Sequence, residues 1–173
     1  MKGNSALLDT KKKNWIVRHF ERYRKRRPWS FCWHISIEGF AASFLVAGVL
    51  FFLLDLPELD LEMTAIEFLL LAVILAPVVE TLIFQALPIC IARMCHASFA
   101  AQVVISMLLF SLPHFAEQAD FGISAGLVGG FYFAFTYAHW RQKSRWTALW
   151  ITIVSHSFNN GLAFILLLML GEF

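Results

Sequence analysis

The sequence predicts an all-α fold, a polytopic integral membrane protein of about five transmembrane helices, and three observations lead there. Hydrophobic residues fill 59% of the 173 positions and charged ones only 15%, well below the roughly 25% of a soluble domain. Five stretches approach the roughly 20 apolar residues that one helical crossing needs. Each is apolar on every face, whereas a membrane β-barrel alternates polar and apolar residues in segments of about ten.

Taken in order, residues 1–30 are basic and hydrophilic and lack the apolar run of a cleavable signal peptide, so the first span is expected to act as the anchor. Within that segment Trp15, Ile16, Phe20 and Tyr23 recur at near-helical spacing among Lys11 to Lys13 and Arg22 to Arg27. The pattern fits an interfacial basic helix on anionic membrane lipid or a solvated positive-inside tail. One short basic run beside a span gives no reason to expect a nucleic-acid partner. Residues 31–173 then read as one membrane domain with spans at Phe31 to Leu54, Ala65 to Ile91, Ala97 to Pro113, Phe121 to Trp140 and Trp146 to Leu170.

Charge tests that division, because Lys and Arg collect in short cytoplasmic loops. With a cytoplasmic N-terminus, residues 1–30, 92–96 and 141–145 carry ten, one and three basic residues, which is all 14 in the chain. The opposite side receives Asp55, Glu58, Asp60, Glu62, Glu117, Asp120 and Glu172. Cys32, Cys90 and Cys95 fall at cytoplasmic ends of spans in neither a metal-ligand nor a disulfide spacing, and read as reduced thiols. Gly122, Gly126 and Gly130 recur every four residues, a pattern that lets helices approach closely. It serves either packing within the chain or a dimer contact, so the oligomeric state stays open. The compact size favours a prokaryotic cytoplasmic membrane.

Ionisable groups deep in a span are costly and mark function by default. Glu38 and Glu67 lie within about two helical turns of a span end and are read as structural. His19, His34, His96 and His139 are expected at or outside the membrane boundary. Glu80 lies roughly 18 Å from the end of its span at Arg93, too deep to reach out. His156 and Asn160 lie roughly 15 and 21 Å beyond Trp146, and His114 roughly 24 Å beyond Ser98. The i, i+4 spacing of His156 and Asn160 puts both on one helix face. A lone buried His or Asn is commonly interhelical glue; four such residues on three spans at similar depth point to a shared site.

The stretch Ala76-Pro77-Val78-Val79-Glu80-Thr81-Leu82-Ile83-Phe84-Gln85 resembles the first motif, EExxxR after an Ala-Pro pair, of the CAAX-protease and bacteriocin-processing family of intramembrane endopeptidases. Phe110 to His114 fits that family's FxxxH motif and His156 to Asn160 its HxxxN motif, in the same order. The resemblance implies a glutamic protease acting on a hydrophobic or membrane-anchored peptide, with Glu80, His114, His156 and Asn160 as its catalytic set and no cofactor. Glu80 with His114 would then hold and deprotonate a water, and His156 with Asn160 would donate hydrogen bonds to the oxyanion.

Two positions depart from the family pattern: Thr81 stands where the family has its second glutamate, and Gln85 where it has arginine. Both charges are lost together, which leaves no orphan ion in the bundle. The expectation is a supporting neutral pair at i and i+4, able to hydrogen-bond. Two alternatives remain. A zinc protease would use the two histidines and the glutamate as ligands with water in the fourth place, though no HExxH is present. A non-catalytic maturation or immunity factor would keep the fold and lose proteolysis.

Overall fold

The computed structural model describes residues 19–54 and 63–173, and among them every regular element is helical. Most of the basic segment, with Trp15 and Ile16, and the acidic loop from Asp55 to Glu62 lie outside the described residues. The chain divides into two compact units, Met1–Phe31 and Cys32–Phe173. In the first, a 3₁₀ turn at Arg22–Lys25 leads into the start of the first long helix. There the Tyr23 ring meets Phe31 edge-on, with centroids 5.4 Å apart.

Five helices are long and apolar enough to cross a membrane: α1 (Pro28–Leu54), α2 (Ala65–Met94), α3 (Phe99–Glu117), α4 (Ala119–Arg141) and α5 (Arg145–Leu170). The predicted all-α, five-span class is what the chain adopts, and it is a multi-pass integral membrane protein. Its outer surface is correspondingly apolar, with Phe52 and Met169 87% and 80% exposed, which suits lipid and not water. One boundary moves. The third span was expected to stop at Pro113, but α3 continues through it to Glu117, because a proline inside a membrane helix is tolerated where neighbouring groups serve the freed carbonyl.

Within the second unit α4 is the central helix, 61% buried over its most apolar stretch where no other span exceeds 28%. It packs against α3 on one side and α5 on the other, and α5 in turn covers α2. The glycines at four-residue spacing explain the close fit to α3. A methyl group added at Gly126 would sit 3.0 Å from the backbone Cα of Ser111, and one added at Gly130 would sit 2.8 Å from the Phe110 ring. The stripe is thus filled by α3 of the same chain.

The inner half of α1 is tied to the bundle by polar contacts. Cys32 Sγ and Ser36 Oγ point to the carbonyls of Ile151 and Ser155 at 3.8 and 3.0 Å, and Tyr132 Oη donates to Glu38 Oε1 at 3.0 Å. Past Ser43 the helix leaves its neighbours, and Phe44, Leu45 and Phe52 to Leu54 are all exposed. Glu67 is equally structural: with Thr64 it closes a capping box at the start of α2, which supplies donors and acceptors to an otherwise open helix end. His139, in the last turn of α4 two residues before Arg141, is 8% exposed and stacked on Phe135.

Neither α2 nor α4 is a regular α-helix. The turns Leu69–Leu75 and Thr81–Ala86 of α2 and Gly122–Gly129 of α4 are π-helical, with hydrogen bonds to the fifth residue back. In α2 each π turn runs into a proline two residues after its end, Pro77 and Pro88. A proline has no amide to donate and its ring crowds the preceding turn, and a wider turn is one way a helix absorbs both effects.

Candidate active site

Glu80 closes the short α-helical stretch Ala76–Glu80 that separates the two π turns of α2. Its Oε2 lies 3.6 Å from Nε2 of His156 on α5, and the two side chains are 26% and 3% exposed. The carboxylate is the partly accessible member of the pair and the imidazole the buried one. The contact with His156 is one that the sequence spacing did not indicate.

His114 sits in the last turn of α3, where its Nδ1 lies 2.9 Å from the carbonyl oxygen of Phe110. A carbonyl only accepts, so Nδ1 carries the proton, and in the neutral ring Nε2 is left with the lone pair. The two histidines are joined through aromatic contacts. Phe110 has its centroid 4.6 Å from that of His114 and 5.7 Å from that of His156. On the other side Phe133 of α4 stacks on the His156 ring at 3.9 Å and 24°. His156 is therefore held flat against one ring and edge-on to another, and its orientation is fixed without a hydrogen bond at Nδ1, which has no partner among the described residues.

Asn160 is engaged elsewhere. Its Nδ2 donates to the carbonyl oxygen of Ala72 in the first π turn of α2 at 2.8 Å. A primary amide has two N–H donors, so one remains. Thr81 and Gln85 are both fully buried, in the second π turn. They do not form the neutral hydrogen-bonded pair expected of them, since Thr81 Oγ1 and both polar atoms of Gln85 have no partner among the described residues. The i, i+4 rule behind that expectation holds for an α-helix, and the π turn changes the phase between the two positions.

The structure thus brings Glu80 and His156 into contact, places His114 beside them across Phe110, and ties Asn160 to the same α2 segment eight residues upstream of Glu80. Among the described residues no three His, Cys, Asp or Glu side chains are grouped closely enough to hold a metal ion. Nothing in the sequence singles out Phe133, one of 18 phenylalanines in a chain where that residue is ordinary filler. Ser106 was equally hidden; its hydroxyl donates to the Phe84 carbonyl of the second π turn at 2.7 Å. The only signal for it was Pro88, four residues after Phe84.

A helical bundle of this kind, with a carboxylate meeting an imidazole between its spans, is a multi-pass membrane protein built around an interior ionisable site. The family model of type II CAAX prenyl endopeptidase Rce1-like proteins matches residues 61–162, and the chain belongs to that family of proteases. The match spans Glu80, His114, His156 and Asn160. No curated protein and no solved structure matches the chain.

Proposed function

We propose that the chain is an intramembrane endopeptidase that hydrolyses a membrane-associated or hydrophobic peptide at Glu80, His114, His156 and Asn160. The contact between Glu80 and His156 at 3.6 Å carries the reading, because it joins two costly groups from separate spans inside a protease-family bundle. Glu80, the more accessible of the two, takes the proton of a water as that water attacks the peptide carbonyl. His114 assists through Nε2, the nitrogen left as acceptor by the bond of Nδ1 to Phe110. His156 and the second N–H of Asn160 donate to the oxygen of the tetrahedral intermediate, an arrangement whose value lies in donors fixed before the reaction. Thr81 and Gln85 support the turn that presents Glu80.

The reaction so written needs no cofactor, and the protein acts from a prokaryotic cytoplasmic membrane with its N-terminus in the cytoplasm. Purified protein freed of zinc is expected to retain cleavage of a hydrophobic peptide in liposomes. Loss of activity on chelation, restored by one equivalent of zinc, would favour the metalloprotease. The decisive comparison is the membrane peptidome of cells carrying the wild-type chain against cells carrying Glu80→Gln. A fragment that depends on the carboxylate is the expected result, and its absence with normal expression of both proteins would favour a non-catalytic maturation or immunity factor.

A further inference from the structure

Among the described residues two hydrogen bonds reach α2 carbonyls from other helices, and they end five and four residues before a proline. In the first π turn the amide of Ala76 is given to Leu71 O. The amide that this register would next supply, to Ala72 O, belongs to residue 77, and that residue is Pro77. Ala72 O is the oxygen that receives Asn160 Nδ2 at 2.8 Å. The second π turn is likewise followed by a proline, with the register shifted by one residue. Leu87 gives its amide to Leu82 O; residue 88 would next pair with Ile83 O in the π register or with Phe84 O in the α register resumed from Leu87, and Pro88 has no amide for either. Phe84 O receives the hydroxyl of Ser106 on α3 at 2.7 Å, and Ser106 is fully buried. Glu80 lies between the two prolines and between the two filled carbonyls.

We propose that Asn160 and Ser106 are positioning donors that fill the carbonyls vacated by Pro77 and Pro88, and so fix the Glu80 segment of α2 between α5 and α3. The positioning claim deepens the proteolytic reading and rests on it; the hydrogen-bonding claim does not. An unfilled carbonyl in the bilayer is costly, so each donor and its proline form a complementary pair. Asn160 also gains a reason to stand four residues after His156: the side chain that anchors α5 to α2 sets the approach of the adjacent turn, where His156 meets Glu80.

The test is a pair of double-mutant cycles read by thermal unfolding in detergent, which needs no cleavage. Asn160→Ala should lower the midpoint by about 3 °C in the Pro77 protein, and by less than half as much in Pro77→Ala, where the restored amide serves the helix. Ser106→Ala should behave the same way with Pro88→Ala, and this second cycle decides alone if Pro77→Ala does not fold. Additive cycles would overturn the proposal. Positioning is read separately, from the rate at which a hydrophobic carbodiimide modifies Glu80 and from peptide turnover. Ser106→Ala should raise the first at least threefold and lower kcat about tenfold with KM unchanged, and Ser106→Thr should recover both. Coupled cycles with neither rate altered would leave a purely structural clamp and sink the positioning claim. If the wild-type protein cleaves nothing, the proteolytic reading fails by itself, while the cycles and the carbodiimide rate still decide this one.

Discussion

At the scale of single residues, the site is legible where a side chain is expensive. Glu80, His114 and His156 stand out in the sequence because lipid penalises ionisable groups; both histidines contact the Phe110 ring, and Glu80 meets His156. Glu80→Gln keeps the shape and removes the base, so it should lower peptide turnover by about a hundredfold or more while leaving the unfolding midpoint unchanged. A variant that cleaves normally would take the carboxylate out of the chemistry. Gln85 makes a second, opposite case. A fully buried amide with neither pole satisfied among the described residues costs stability, so Gln85→Leu, close in volume, should stabilise the protein by about 1–3 kcal/mol in a denaturation titration. Turnover should fall at the same time, because Gln85 lies in the π turn that follows Glu80. A gain in stability with turnover intact would remove Gln85 from the supporting group. What a sequence does not reveal at this scale is the partner of Asn160, since the freed oxygen of Ala72 exists only in a π register.

Among the secondary elements, spans were easier to recognise than their internal geometry. Apolar length marks five crossings, and the ends of α2 and α5 fall within a few residues of where hydropathy puts them. The π turns leave no periodic signal of their own, because their apolar residues satisfy an α pattern equally well. Only the prolines at 77 and 88 hint at them. The glycine stripe was recognisable as a contact and silent about its partner, and the structure assigns it to α3. That assignment is testable by contrast. A methyl group at Gly126 meets a backbone atom at 3.0 Å and the Cβ of His114 at 3.2 Å, so Gly126→Ala should cost about 1–3 kcal/mol through overpacking and displace His114. Gly48 on α1 has nothing within 4 Å of an added Cβ, and Gly48→Ala should instead stabilise by about 0.5–1 kcal/mol, the ordinary helix gain. Equal effects at the two positions, measured by unfolding in detergent, would contradict the packing.

For the whole molecule, the distribution of charge predicts a single orientation. Cys95 follows α2 and is exposed, whereas Asp120 lies at the start of α4, on the other side of the five-span arrangement. In sealed vesicles a membrane-impermeant maleimide should therefore label Cys95 from the face that bears the N-terminus, and Asp120→Cys from the opposite face. Labelling of both from one face would break the span count or the orientation. The two halves of α1 also carry different amounts of information. From Cys32 to Ser43 specific atoms meet α4 and α5, whereas the side chains from Phe44 to Leu54 are mostly exposed. A helix in hydrocarbon satisfies its own backbone, so this outer stretch needs only to be apolar and helical. Its residue order is accordingly close to arbitrary: shuffling the amino acids between Phe44 and Leu54 should leave expression and folding intact, while shuffling those between Cys32 and Ser43 should not.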